Sequence, residues 1–382
     1  MKFELTREQE QIKKAAHQLA EKEFPKYARD ADQSEEWPRD LFDTVADQNF
    51  IAVTIPQEYG GPGLGNLENA IIMEQFSRVD GGLGVAMGAT AFGSELLYKA
   101  GTEEQKETWL PKLASGDAIS GAAISEANAG SDVASAKCSA EKDGDEWVLD
   151  GQKYWITNAT IADFLVVLAQ TDPEAEDRHD RHSVFLVETD REGVSSSKIT
   201  GKLGIRASPT AEVILDNVRV PEENLVGERG MGFRYVMRFF NQTRIMVAAQ
   251  GVGIAQGALD RSIAYAGQRE QFGQAIANFQ AIQFKLAEME TRIESARLLT
   301  HKAAWQADHG EPDASASSKA KWFAGETAVD CADEAVQIHG GSGYVDEMDV
   351  ERFYRDAKIT EIYEGTKEIH KLIIARDLLG MT

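Results

Sequence analysis

The sequence has few cysteines and no apolar segment of membrane-spanning length. Its only cysteines, Cys138 and Cys331, form no Cys-x-x-Cys pattern, so we expect reduced, buried thiols and neither a disulfide framework nor a zinc site. The uncharged run from Gly81 to Ser94 is too short to cross a bilayer, and the opening MKFELTREQEQIKK lacks the apolar core of a signal peptide. A cytoplasmic protein without a metal site is therefore expected.

Positive charge is also scarce. The 382 residues include 63 acidic and 40 basic side chains, for a formal net charge of −23. A field of this sign repels phosphodiester backbones and anionic lipids, so nucleic-acid and membrane partners are not expected. Two explanations of the charge stay open. The carboxylates keep the surface soluble, or they adapt the protein to a salt-rich, halophilic cytoplasm in which self-repulsion is screened.

The hydrophobic pattern changes twice along the chain and predicts three domains of an α+β, mostly α fold. Residues 1–118 show helical spacing, residues 119–228 contain short β-branched runs between turns, and residues 229–382 return to helical spacing. We predict an N-terminal helical domain, a middle β-barrel or β-sandwich domain, and a C-terminal four-helix bundle. The predicted helices include 67–79, 83–99, 103–114, 230–267, 278–308 and 312–339.

Two features resemble binding motifs but have simpler explanations. Gly251, Gly253 and Gly257 are spaced wrongly for a dinucleotide fingerprint, so we predict that they allow close helix packing. His179 and His182 fall in the charged segment 171–182, which is predicted to be a solvated loop; this is weak support for a metal site.

Six segments together resemble the acyl-CoA dehydrogenase family, in family order and spacing. They are AAISEANAGSD (122–132), KYWITN (153–158), KLGIRAS (202–208), REQFG (269–273), QIHGGSGY (337–344) and ITEIYEGTKEIH (359–370). The resemblance covers nearly the whole chain. It implies an FAD-dependent oxidoreductase that converts a fatty acyl-CoA to the trans-2-enoyl-CoA, as in fatty acid β-oxidation, with flavin N5 taking the β-hydride.

The resemblance also identifies a base, because the α-proton beside a thioester is a very weak acid that a positioned carboxylate must remove. Glu364 stands at the family's base position. Some members instead carry the base on the long helix, just before an arginine. Here the residue before Arg244 is Thr243, and a threonine cannot act as the base. Gly365 would let the backbone approach the substrate, and the Glu364 N–H would donate to the thioester carbonyl.

The remaining site residues are implied by the resemblance. Ser131, Asn241, Arg244 and Gly365 would contact acyl-CoA. FAD would be held by Ala122, Ala123, Ile124, Ser125, Ser131, Trp155, Ile156, Thr157, Arg269, Gln271, Phe272, Phe279, Gln280, Gln337, His339, Gly340, Gly341, Thr366 and Glu368. The family reaches part of this set across a subunit interface, which implies a homotetramer. The sequence departs from the family at Ala127, Asn128, Lys367 and His370.

Alternatives remain for the acceptor and the substrate. An electron-transferring flavoprotein is the expected acceptor, but an oxygen-using acyl-CoA oxidase or flavin monooxygenase, or a non-catalytic acyl-CoA-binding protein, could share this fold. Residues 70–100 are expected to line the acyl pocket, with the small side chains of Gly84, Ala86, Gly88 and Ala89 either deepening it or packing helices. The chain looks nearest to short- and medium-chain enzymes, while length and branching stay open.

Overall fold

The structure is a computed structural model that describes residues 4–381. Its N-terminal part is helical, with α1 Arg7–Glu23, α2 Ala28–Ser34, α3 Arg39–Asp47, α4 Asn66–Val79, α5 Gly81–Gly88, α6 Ser94–Ala100 and α7 Glu103–Ser115. The first helix begins at a capping box, in which Thr6 and Gln9 form reciprocal bonds of 3.2 and 2.9 Å.

The predicted helix 83–99 is wrong in one respect, because the structure breaks it into α5 and α6. Gly93 adopts φ +100°, and a Cβ there would lie 3.4 Å from the carbonyl oxygen of Gly121. The chain therefore turns where it packs against the first β-strand. This turn places the start of α6 beside a large cavity that is described below. A helix prediction from apolar spacing does not detect such a turn, since glycine is common in both settings.

The middle part is an eight-stranded sheet in the order β6-β7-β3-β2-β4-β5-β8, with β1 parallel to β4. Its strands are β1 Ser120–Ala123, β2 Ser139–Asp143, β3 Glu146–Thr157, β4 Phe164–Gln170, β5 His182–Glu188, β6 Val194–Lys198, β7 Thr210–Pro221 and β8 Leu225–Val226. One register pair, Ser139 with Gln170, joins β2 to β4. Trp147 on β3 and Phe185 on β5 pack together with ring centroids 5.3 Å apart, so the sheet encloses one core.

The C-terminal part is again helical. Its elements are α8 Gly232–Gln268, the small hairpin β9 Glu270–Gln271 and β10 Gln274–Ala275, α9 Gln280–Asp308, α10 Ala314–His339, α11 Val350–Ala357 and α12 Lys367–Leu379. Helices α8, α9 and α10 enclose a core rich in alanine, with Met289 and Ile293 fully buried. None of the helices in residues 4–381 is both long and apolar enough to cross a membrane.

Gly251, Gly253 and Gly257 of α8 serve helix packing, as predicted. A Cβ on Gly253 would lie 2.3 Å from the carbonyl oxygen of Glu74, and one on Gly257 would lie 2.2 Å from that of Arg78, both on α4. A Cβ on Gly251 would meet the backbone of α10 at 2.9 Å. The glycines therefore let α8 contact the N-terminal helices on one face and the bundle on another.

Other predictions are corrected or confirmed locally. His182 does not belong to a solvated loop, because it is the fully buried first residue of β5, and its Nε2 lies 2.9 Å from the Ala136 carbonyl oxygen. Both cysteines are free and buried, as expected. The proposed boundaries at residues 118/119 and 228/229 stay predictions.

Candidate active site

A cavity of about 1020 Å³ lies where the N-terminal helices, the sheet and the C-terminal helices meet. We call it the main cavity. Most of its lining is apolar, including Ile72, Met73 and Phe92, and its polar lining residues include Glu364 and Arg244. Of the small residues expected here, Gly88 and Ala89 line the cavity, whereas a Cβ on Gly84 would meet Ser77 at 2.6 Å, so that glycine packs helices instead.

The predicted base lies in a strained turn just before α12. Glu364 has φ +56° and Gly365 has φ +96°, and the left-handed conformation is uncommon for glutamate. Two cations hold this turn: Arg244 Nε donates to the Glu364 carbonyl oxygen at 3.2 Å, and Lys321 Nζ donates to that of Gly365 at 2.6 Å. Such a conformation persists where the surrounding contacts determine it, and it clusters at functional sites.

The carboxylate of Glu364 is half-buried at the cavity wall and is held by one hydroxyl. Thr243 Oγ1 donates to Glu364 Oε2 at 2.7 Å. Burial raises the pKa of Glu364, while this hydrogen bond and the charges of Arg244 and Lys321 lower it in part. A raised pKa brings a carboxyl group closer to the range in which general bases work, and the three partners keep an ionised form available.

The two cations are themselves buried. Lys321 is 1% exposed, and burial lowers its pKa to about 7. Burial also lowers the pKa of Arg244, whose Nη1 donates to Asn241 Oδ1 at 2.9 Å. Behind them, His370 is fully buried with Nδ1 3.2 Å from Ser318 Oγ, and burial lowers its pKa to about 3. The turn is thus backed by a dry polar cluster rather than by solvent.

The opposite wall comes from the sheet. The strand β1 and its extension bring Ala122, Ile124 and Ser125 to the main cavity, and β3 brings Trp155, Ile156 and Thr157. Trp155 has φ +65° at an irregularity in the pairing of β3 with β7, and its side chain is 59% exposed. Ser131 and Thr366 also line the cavity. The Ala123 side chain does not reach it, because it is fully buried in the core of the sheet.

The departure at Ala127 and Asn128 leaves a well-closed loop. Backbone bonds of 3.1 and 3.0 Å join Glu126 to Ala129, and the Glu126 carboxylate accepts from buried Lys153 at 2.9 Å. Lys153 Nζ also donates to the Ile124 carbonyl oxygen at 3.1 Å, which positions the end of the strand beside the cavity.

A second group of predicted residues lies elsewhere on this chain. One set lies around the β9–β10 hairpin, namely Arg269, Gln271, Phe272, Phe279 and Gln280. The other lies at the end of α10, where Gln337 and His339 belong to the helix and Gly340 and Gly341 follow it; no member of either set lines the main cavity. Tyr265 links the two sets, because its carbonyl oxygen accepts from Arg269 N at 2.8 Å and its ring stacks on buried His339 at 4.3 Å. Phe272 is 94% exposed.

The charged residues that follow Gly365 have local partners. Lys367 Nζ lies 3.1 Å from Glu361 Oε1, and this ion pair explains the lysine without a cofactor contact. Glu368 is exposed in the first turn of α12 and does not line the main cavity. Thr366 caps the helix, with Ile369 N donating to its hydroxyl at 3.5 Å.

Sequence reasoning missed two groups around the base. Lys321 had a detectable signal, since it shares a helical face with buried Ser317, Ala324 and Ala328, where a lysine is unexpected. Thr243 was noted only as unable to act as a base, and its contact with Glu364 depends on a pairing of α8 with a turn 121 residues further along the chain.

Comparisons with known proteins agree with this architecture. The N-terminal, middle and C-terminal domains of acyl-CoA dehydrogenase match residues 6–117, 121–218 and 230–379. The chain is 44% identical over 380 residues to the probable acyl-CoA dehydrogenase YngJ of Bacillus subtilis (strain 168), covering 99% of this chain and 100% of the relative. It is 42% identical over 381 residues to the acryloyl-CoA reductase (NADH) of Anaerotignum propionicum, covering 99% and 96%.

Solved structures agree as well. A chain from the structure of the electron transferring flavoprotein of Acidaminococcus fermentans matches with TM-score 0.96 and 39% identity, covering 99% of this chain and 100% of that chain. Glutaryl-CoA dehydrogenase from Mycobacterium smegmatis in complex with FADH2 matches with TM-score 0.92 and 30% identity, covering 98% and 95%. The fold and site define a flavin-dependent oxidoreductase acting on CH–CH bonds. The chain belongs to the acyl-CoA dehydrogenase family, and its cofactor is FAD.

The residues of the main cavity fit a flavin. An indole that is 59% exposed at the cavity edge offers an aromatic face to a planar ring. The wall beside it is built from small side chains, namely Ala122, Ser125 and Gly130, which leave room for a bulky cofactor and polar groups for its edges.

Proposed function

We propose that this enzyme dehydrogenates short- or medium-chain fatty acyl-CoA thioesters to trans-2-enoyl-CoA, with Glu364 as the base. One observation carries the proposal: a half-buried carboxylate faces the main cavity from a strained turn, with Thr243 bound to the carboxylate and two buried cations bound to the backbone of the turn. A carboxylate with a raised pKa, fixed at the wall of a cavity, is suited to proton abstraction.

In the proposed reaction Glu364 takes the α-proton of the acyl group. The electron pair of the broken C–H bond forms the α,β double bond, and a hydride leaves the β-carbon of the substrate. FAD supplies the oxidant that accepts this hydride. Thr243 and Arg244 orient the base, and Lys321 fixes the carbonyl of Gly365. The N–H of Glu364 would donate to the thioester carbonyl as negative charge develops on its oxygen.

We propose that Ala122, Ile124, Ser125, Trp155, Ile156 and Thr157 hold the flavin, with Ser131 near the pantetheine of CoA and Thr366 near the cofactor. The second group, around the hairpin and the end of α10, would bind the adenosine part of FAD bound mainly by another subunit. This assignment requires at least a second subunit, and we propose a homotetramer; the exposed apolar side chains of Phe272 and Tyr344, which are 94% and 85% exposed, support an interface there.

We propose an electron-transferring flavoprotein as the acceptor, in a cytoplasmic setting that suits two reduced thiols. A structural neighbour at 39% identity belongs to a structure of such a flavoprotein, which supports this choice. One competing function has a specific observation in its favour. A relative at 42% identity is an acryloyl-CoA reductase (NADH), so the same site could run in the direction of reduction.

The test is anaerobic titration of the FAD-loaded enzyme with butyryl-, octanoyl- and palmitoyl-CoA, following bleaching of the oxidised flavin. We expect bleaching by one chain-length class and none in Glu364→Gln. Glu141→Gln, on the exposed edge of β2, is the matched control and should bleach like the wild type. Bound FAD that no acyl-CoA bleaches would contradict the proposal. Reoxidation of the bleached enzyme, by oxygen or by an electron-transferring flavoprotein, separates oxidase from dehydrogenase.

A further inference from the structure

The carboxyl group of Glu95 lies at the boundary of two cavities. Glu95 is the second residue of α6, just after the turn at Gly93. It lines the main cavity together with Thr54 and Ser94, and the same three residues line a neighbouring pocket of about 230 Å³. We call the latter the side pocket. Glu95 therefore stands between the space that holds the base and a smaller space beyond it.

The carboxyl group of Glu95 has no role in the proposed reaction or in the proposed binding of FAD. Its Oε2 is buried and has no hydrogen-bond partner within residues 4–381. A carboxyl group that lines a largely apolar cavity costs free energy unless a polar group meets it, so this position favours a polar occupant. Burial raises the pKa of Glu95 to about 7, with the charge of Glu364 acting in the same direction, so a neutral, hydrogen-bonding form is accessible.

The side pocket is polar, in contrast to the main cavity. Its lining includes Tyr98, Gln242, Asp308 and Glu311. Two carboxylates besides Glu95 disfavour an anionic occupant there, although Lys99 also lines the pocket. An ammonium group would have to lose its hydration in order to pair with Glu95, and this desolvation cost often cancels the energy of the ion pair. A hydroxyl satisfies a neutral or an ionised carboxyl group and needs no counter-charge.

We propose that Glu95 determines acyl specificity, by disfavouring an apolar chain end and favouring an acyl group whose end distant from the thioester carries a hydroxyl. An alkyl chain long enough to reach Glu95 would place a methyl group against the carboxyl group. A terminal hydroxyl at the same depth would donate to the ionised carboxyl group or accept from its protonated form. The inference rests on the proposed function, because it takes the main cavity as the acyl site.

The test compares kcat/KM for butyryl-, hexanoyl- and octanoyl-CoA with their ω-hydroxylated counterparts, in the FAD-loaded wild type, Glu95→Leu and Glu95→Gln. In the wild type the ratio of hydroxylated to plain substrate should peak at one chain length. Glu95→Leu should lower that peak about tenfold and raise kcat/KM for the plain chain of that length. Glu95→Gln, which keeps a donor and an acceptor, should retain part of the preference.

Ratios that are equal in the wild type and Glu95→Leu at every length would overturn the proposal. A peak for ω-amino or ω-carboxyl substrates instead of ω-hydroxyl ones would overturn the assigned class. Thermal unfolding controls for folding, and Glu95→Leu should not be less stable, since it removes an unpartnered buried polar atom. Failure of the proposed function has a different signature, because then even the wild type would turn over none of the plain acyl-CoAs.

Discussion

Replacing Lys321 by methionine should separate stability from activity. The lysine donates to the Gly365 carbonyl oxygen at 2.6 Å, and no part of it is near the surface. A charge-assisted hydrogen bond of this kind contributes about 1.5–3 kcal/mol. If the fixed turn is needed mainly in the transition state, its loss should lower kcat/KM roughly 10- to 150-fold.

The pH profile gives the sharper readout. The charge of Lys321 lowers the pKa of Glu364, so its removal should raise that pKa and move the acidic limb of kcat/KM to higher pH. Activity should therefore fall more at pH 6 than at pH 9. Lys302→Met, on the exposed face of α9, is the matched control and should leave both the rate and the limb unchanged.

The free energy of unfolding should change much less than the activity near neutral pH. Burial lowers the pKa of Lys321 from 10.5 to about 7, so the unfolded chain binds a proton that the folded chain releases between those values. The wild type should thus gain unfolding free energy relative to Lys321→Met as pH rises from 7 to about 10. Near pH 7 the variant should be within ~2 kcal/mol of the wild type, since an apolar replacement removes a desolvation cost. A variant with wild-type kcat/KM and an unmoved acidic limb would refute this reasoning.

Three further predictions concern the base, the packing and the charge. Thr243→Val removes the hydroxyl that lowers the pKa of Glu364, so kcat/KM should fall about tenfold at pH 6 and much less at pH 9 in steady-state assays. Gly257→Ala places a Cβ 2.2 Å from the Arg78 carbonyl oxygen and should lower the unfolding free energy by about 1–3 kcal/mol in urea denaturation. Gly267→Ala, in the same helix with nothing within 4 Å, should instead stabilise by up to ~1 kcal/mol. If the net charge of −23 is a salt adaptation, desalting should lower both melting temperature and activity, whereas an unchanged protein would favour solubility alone.

Local chemistry made much of the fold predictable. The spacing of Gly251, Gly253 and Gly257 predicted close packing of α8, and the structure confirms it because a Cβ at these positions would meet the backbone of α4 or α10. The α5–α6 break was not predictable, since it depends on Gly93 meeting β1 from a distant part of the chain. His182 was misplaced for the same reason: its burial depends on strand pairing rather than on its charged neighbours.

The candidate site divides along the same line. Residues that carry a motif, such as Glu364 and Trp155, could be found from sequence because their segments are contiguous. The groups that act on the pKa of the base come from two separate helices, Thr243 and Arg244 from α8 and Lys321 from α10, and Glu95 comes from α6. Each is an ordinary polar residue in sequence, and each acquires its properties only through burial. The pKa of about 7 for Lys321 and for Glu95 has the same cause, desolvation by burial, although the pKa of the lysine is lowered to that value and the pKa of the acid is raised. Because the charge of Lys321 lowers the pKa of Glu364 and the charge of Glu364 raises that of Glu95, replacing Lys321 should change the pH profile of the base, and Glu364→Gln should lower the pKa of Glu95.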